Sequence, residues 1–213
     1  MSSTTMPQSS TPVVGFEVDT ASSTTDIFLS TVAENPSRPL VAKPDGDGWN
    51  ELTAAEFLAE VKAAAKGLIA LGVEVGDRIA IFGPTSYEWT LSDYAIWYAG
   101  GISVPFYDTS SESQLNWMLT DADVTRGLVA SRDHADRVRA AAKSAGREEP
   151  ALRVWDEGAF ADLAEAGKAI SDEELEAARS QVGSDSVAPV IFTSGTTGQP
   201  KGCVLTHANF VQA

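Results

Sequence analysis

The stretch from Pro189 to His207, PVIFTSGTTGQPKGCVLTH, constrains this chain more than any other. Val190, Ile191 and Phe192 make a short apolar run with the character of a buried strand. They lead straight into Thr193-Ser194-Gly195-Thr196-Thr197-Gly198, where no side chain is bulky. Gln199, Pro200 and a single cation, Lys201, follow before a second apolar run at Val204-Leu205. Phosphate oxygens ask for this combination: backbone N–H groups free to turn inward, hydroxyl donors close by, and one ammonium within reach. Gly195 and Gly198 can take φ > 0 and bring the backbone close to an anion. Pro200 stiffens the exit, which sets the distance of Lys201 from the loop. A lone GTTG would read as an ordinary hairpin turn beside a solvated lysine. Here the hydroxyls, glycines, proline and lysine all fall between two strand-like runs, which favours the anion loop. It is not a Walker A loop. Counted from Gly195, Pro200 stands where that motif needs glycine, and Gly202 rather than Ser or Thr follows Lys201.

The rest of the chain narrows the class. Its 213 residues suffice for one large domain or a domain and a half, and 43% hydrophobic content can fill a core. A formal charge of -15 leaves no basic stripe for nucleic acid. The only cysteine, Cys203, excludes an internal disulfide and a cysteine-based zinc site. Its place in the run after the loop makes a buried small hydrophobe the default reading. His134 and His207 are too few and too far apart in sequence to suggest a metal centre. No apolar run approaches the roughly 18–20 residues needed to span a bilayer, and the N-terminus lacks a signal-peptide pattern. A cytoplasmic protein is expected.

Residues 1–25, rich in Ser and Thr, read as a flexible leader. A helix is expected over Asp26–Glu34, and a β-hairpin around Asp45-Gly46-Asp47-Gly48. Thr53 with Glu56 forms a capping-box pattern that opens an amphipathic helix on Phe57, Val61, Ala65 and Leu68, with Gly72 placed to stop it. Strands and helices then alternate: strands at Arg78–Phe82, Ile102–Tyr107, Gly127–Ala130 and Leu152–Trp155, helices at Ser86–Ala99, Ser111–Leu119 and Asp133–Ala145. This alternation implies βαβ crossovers and a parallel sheet with flanking helices, an α/β fold. Two acidic helices, Ala159–Ala166 and Ser171–Val182, are expected on the surface, leading into the loop strand.

TSGTTGQPKG, followed by a strand and Thr206-His207, resembles the phosphate loop of adenylate-forming enzymes: acyl-CoA synthetases, luciferases and the adenylation domains of peptide synthetases. The strings WNELT…EF, GVEVGDRIAI, YEWTLSDYAIWYAGG and VPFYDTSSESQ are similar to one branch, the long-chain fatty-acid–CoA ligases. The resemblance runs from about Asp26 to the end of the chain. It implies the layered parallel sheets of the adenylate-forming fold, present over 26–213 as a partial N-terminal domain. It also implies an enzyme that joins a long-chain fatty acid to ATP, releases pyrophosphate, and passes the acyl group to CoA. Thr193, Ser194, Gly195, Thr196, Thr197, Gly198 and Lys201 would then meet the ATP phosphates, with Thr193 helping to hold magnesium. ATP, Mg and CoA are the implied cofactors and cosubstrates, and a fatty-acid substrate allows peripheral membrane contact.

The family's adenine-binding aromatic-Gly-x-Thr-Glu segment, ribose-binding Asp and C-terminal lysine are not found in this sequence. An ending at Asn209-Phe210-Val211-Gln212-Ala213, one turn into a helix, reads as a truncation after the phosphate loop, so catalysis by the fragment alone is not expected. A non-catalytic nucleotide- or partner-binding remnant is the alternative. Trp89, Trp97 and Tyr98 can line an acyl tunnel or pack the core, and core packing is the commoner use of such a stripe.

Overall fold

In the computed structural model the described residues are 22–193 and 199–212. Short local signals start the helices. Ser23 accepts a hydrogen bond from the Asp26 N–H while the Asp26 carboxylate reaches back to the Ser23 N–H, so helix α1 runs Thr24–Glu34, two residues earlier than the Asp26 start expected. The same box, Thr53 with Glu56, opens α2 (Ala54–Ala70). Between them β1 (Pro39–Asp45) and β2 (Gly48–Thr53) form an antiparallel ribbon turned at Gly46, φ +56°.

The central sheet is built from β3 (Arg78–Phe82), β4 (Ile102–Phe106), β5 (Arg126–Val129), β6 (Ala151–Val154), β7 (Val187–Thr193) and β8 (Lys201–Thr206). Its order is β6-β5-β3-β4-β7-β8; every neighbouring pair is parallel except β7–β8, which is antiparallel. β3 is apolar on both faces, as a strand covered on both sides must be. Ile79 and Ile81 turn toward α1, α2, α3 (Tyr87–Tyr98), α6 (Ala159–Ala166) and α7 (Asp172–Arg179). Ala80 and Phe82 turn the other way, to α4 (Glu112–Asp121) and α5 (Arg132–Ser144). The chain closes on a short α8 (His207–Val211).

Two packing details hold the first helical layer. Gly67 lies where α2 crosses α6, and a side-chain carbon there would sit 2.2 Å from the Leu163 carbonyl oxygen. The acidic α7 is exposed on one side as expected, but it also sends Arg179 inward. That guanidinium is 8% exposed, bonds Glu176, Asp26 and Thr25, and lies over the Tyr98 ring. Its pKa is pushed up, first by the Glu176 carboxylate. Among the described residues no helix is long and apolar enough to cross a membrane.

Cys203 corrects the sequence expectation: it is exposed. Among the described residues β8 is the edge of the sheet and pairs only with β7, so apolar residues on it, Val204 at 57% exposure among them, have no second strand beside them there.

Candidate nucleotide-binding site

Parallel strands present their carboxyl ends together, and a crevice opens where adjacent strands send their connections to opposite faces. β3 and β4 meet that condition. β3 exits to α3 on one face and β4 exits to α4 on the other. A cavity of about 460 Å³ lies there, walled by Gly83, Pro84 and Thr85 after β3, by Pro105 to Thr109 at the end of β4, by Trp89 of α3 and by Ile191 of β7. Its lining is largely apolar, with Thr85, Tyr107, Asp108 and Thr109 among its residues that carry polar groups.

The wall formed by residues 107–110 is braced from α5. Arg137 donates to the carbonyls of Asp108 (3.0 Å) and Ser110 (2.8 Å), and its guanidinium lies over Phe82. His134 Nε2 meets Asp108 Oδ1 at 2.6 Å, and its Nδ1 meets Ser131 Oγ at 2.7 Å. These three side chains tie the 107–110 wall to the start of α5, where Ser131 Oγ also accepts from the His134 N–H and caps the helix.

β7 carries the predicted loop to the same edge. Thr193, its last residue, is exposed and pairs in register with Lys201, the first residue of β8. Two of the sequence-predicted residues, Thr193 and Lys201, thus face each other across the loop mouth. Ser194, Gly195, Thr196, Thr197 and Gly198 lie outside the described residues. Lys201 is exposed and has no ion-pair partner among the described residues. A smaller cavity of about 190 Å³, bordered by Tyr107, Gln114, Met118, Phe192, Thr193 and Pro200, opens beside the mouth.

Two indoles hold this hairpin, one from each face of the sheet. Trp97 of α3 donates through Nε1 to the Ala188 carbonyl at 3.1 Å, at the base. Trp117 of α4 donates to the Pro200 carbonyl at 2.8 Å, at the tip. Trp97 is 3% exposed and packs edge-on to Tyr94 and His207, and Tyr98 is 1% exposed, so both belong to the core. Trp89 is the aromatic of that stripe that reaches the cavity. Neither Trp117 nor the Asp108–His134 brace was singled out from sequence; their partners lie 83 and 26 residues away, beyond any local pattern.

Two titratable groups lie near the hairpin, His207 buried and Asp93 half-buried. His207 is fully buried, its Nδ1 3.0 Å from Thr24 Oγ1, and burial pulls its pKa down to about 4. Asp93 on α3 has an Oδ1 sealed from solvent without a hydrogen-bond partner, and burial pushes its pKa up to about 7, with the Ser103 hydroxyl offsetting part of the rise. Among the described residues no group of three or more His, Cys, Asp or Glu side chains is placed to hold a metal ion.

A parallel α/β sheet with a cavity at its switch point, and with Thr193 and Lys201 paired at the same edge, defines a class of fold that takes ligands at the carboxyl ends of its strands. The chain belongs to the AMP-binding enzyme family, whose match covers residues 28–213. It is 41% identical over 165 residues to the long-chain-fatty-acid–CoA ligase FadD15 of Mycobacterium tuberculosis, covering 76% of this chain and 28% of that protein. It is 33% identical over 212 residues to the mitochondrial medium-chain acyl-CoA ligase ACSF2 of Danio rerio, covering 89% of this chain and 35% of that protein. In fold it is similar to the crystal structure of a long-chain-fatty-acid–CoA ligase (FadD1) from Archaeoglobus fulgidus, with a TM-score of 0.72 at 19% identity, covering 88% of this chain and 37% of that one. The chain thus spans about a third, or less, of the length of the proteins it resembles.

Proposed function

We propose that this chain is the N-terminal, phosphate-binding part, over residues 26–213, of an ATP-dependent long-chain fatty-acid–CoA ligase. Such an enzyme condenses a fatty carboxylate with ATP to an acyl-adenylate and pyrophosphate, then transfers the acyl group to CoA with release of AMP. The observation that carries the reading is the pairing of Thr193 with Lys201 across the loop mouth, beside a cavity at the carboxyl edge of the sheet. The identity to FadD15 supports the long-chain branch over the medium-chain one.

In this reading the Ser194–Gly198 segment, with the Thr193 hydroxyl, wraps the β- and γ-phosphates, and the Lys201 ammonium offsets their charge. The donor chemistry also fits magnesium, which keeps most of its waters and leans on phosphate oxygens, so a single hydroxyl such as that of Thr193 can complete its shell. Held by the Thr193 hydroxyl, such an ion would supply charge compensation for the pyrophosphate leaving group. The apolar cavity beside the loop, with Trp89 and Ile191 in its walls, is shaped to shelter the apolar part of the acid while Lys201 holds the phosphates. Adenine, ribose and CoA contacts are assigned to no residue here, and turnover by the 213 residues alone is not expected.

The test is fatty-acid-dependent ATP–pyrophosphate exchange by the full polypeptide that carries this sequence. Lys201→Ala removes a charge-assisted hydrogen bond worth roughly 1.5–3 kcal/mol and should slow exchange by about 10- to 100-fold. Unchanged exchange in that variant sinks the phosphate assignment. ATP binding without any exchange by that polypeptide would make the chain a non-catalytic nucleotide-binding module instead.

A further inference from the structure

We infer that Trp117 is a positioning residue for Lys201, acting through the Pro200 carbonyl; the inference rests on the phosphate-binding reading of the loop. The arm is rigid at its root. α4 begins on a Ser111–Gln114 capping box, and Leu115, Met118 and Leu119 are buried between it and the sheet. Trp117 sits half-buried on the same helix, and its Nε1–H reaches the Pro200 oxygen at 2.8 Å.

That oxygen is well chosen for control of the lysine. The carbonyl of Pro200 and the nitrogen of Lys201 share one planar peptide unit, so holding the oxygen orients the plane from which the Lys201 backbone departs. Pro200 itself has a fixed φ and no N–H of its own to anchor. On its other side Lys201 is held by its register pairing with Thr193. Close packing does not do this work, because the cavity of about 190 Å³ opens beside Pro200 and Thr193. With slack on that side, the hydrogen bond decides how the peptide sits. The Lys201 side chain is left exposed and, among the described residues, unpaired, so its ammonium is available to an anion at a position the indole sets.

A double-mutant cycle in the full polypeptide tests this, read as kcat/KM for ATP in pyrophosphate exchange. Trp117→Phe keeps a ring on α4 and removes the N–H donor. It should lower kcat/KM by roughly 3- to 10-fold, the worth of one neutral hydrogen bond. In the Lys201→Ala background the same change should have almost no effect, because the group it positions is gone. Thermal denaturation of Trp117→Phe, run alongside, shows whether the variant is folded; Trp117→Tyr stands in if it is not, since its hydroxyl sits elsewhere and cannot reproduce the bond. An equal loss in both backgrounds overturns the inference, since Trp117 would then act independently of Lys201. No loss in Trp117→Phe overturns it as well. If Lys201→Ala alone is silent, it is the phosphate reading that fails, and the positioning role falls with it.

Discussion

Replacing Trp97 tests how far the fold around the hairpin depends on one side chain. The ring is 3% exposed, touches Tyr94 at 5.5 Å, Phe210 at 5.6 Å and His207 at 5.8 Å between centroids, and bonds the Ala188 carbonyl. A buried tryptophan removes on the order of 200 Å² from water, which at about 25 cal/mol per Å² is about 5 kcal/mol. Alanine keeps a small part of that, and partial collapse of the site recovers some more, so Trp97→Ala should cost roughly 3–5 kcal/mol. For a chain of this size each kcal/mol moves the melting temperature by about 2–4 °C, giving a drop of about 6–20 °C. Trp97→Phe retains most of the apolar contact but leaves the Ala188 oxygen without its indole donor, a loss of about 1–3 kcal/mol. The assay is thermal denaturation followed by circular dichroism, with both variants beside the unsubstituted protein. A cooperative transition for Trp97→Ala shifted by less than about 1 kcal/mol would refute the core assignment. So would a changed fatty-acid length preference at unchanged stability, which would return Trp97 to the acyl tunnel.

Gly67→Ala should destabilise the fold by roughly 1–3 kcal/mol even though alanine is the better helix former, because the new carbon meets the Leu163 backbone at 2.2 Å; equal or higher melting temperature would show that α6 can slide away. Asp93 and His207 should bend the stability–pH curve in opposite directions. The folded Asp93 carboxyl, at about 7 against an ordinary 3.8, keeps its proton where the unfolded chain has lost it, so stability falls as pH rises from about 4 to about 7, and Asp93→Asn should remove that slope. The folded His207, at about 4 against 6.5, stays neutral where the unfolded chain binds a proton, so stability is lost as pH falls from about 6.5 to about 4, and His207→Gln should flatten that limb. Urea midpoints measured from pH 4 to 8 check both, and unchanged slopes in the two variants would show that neither group is sealed as described.

The signals that sequence reading captured are the local ones. Thr53 and Glu56 sit three residues apart, so the chain writes its own helix start there, and the structure uses that box and two of the same spacing, Ser111–Gln114 and Ser171–Glu174. The alternation of β3, α3, β4, α4, β5, α5 and β6 was equally legible, because each element buries its own apolar pattern. The stretch from Thr193 to Lys201 stands out as a candidate phosphate loop for a related reason: its hydroxyls, glycines and lysine follow one another along the chain. Cys203 was misplaced because burial on a strand depends on what lies beside it, and the register says nothing of β8 being an edge. The Trp117–Pro200 bond, the Asp108–His134 brace and the Arg179–Asp26 pair join residues 83, 26 and 153 apart, and only the topology brings them together.

Those long-range bonds bear on how the two strands that lead into and out of the loop are held. Thr193 and Lys201 are cross-strand partners, so the chain leaves and re-enters the sheet at points about 5 Å apart. A loop rich in glycine has many conformations to lose on meeting an anion, and a fixed mouth removes some of that loss before the ligand arrives. The pairing must also resist slipping, since a shift of one residue would turn Lys201 to the opposite face. Among the described residues β8 has no outer neighbour to prevent it. What opposes the slip is the pair of indole bonds: Trp97 fixes the Ala188 carbonyl before the loop and Trp117 fixes the Pro200 carbonyl after it. The first comes from α3 and the second from α4, on opposite faces of the sheet, so no single rigid shift of the hairpin preserves both. The edge strand that looks least supported in the fold is therefore the one whose register is set from two sides.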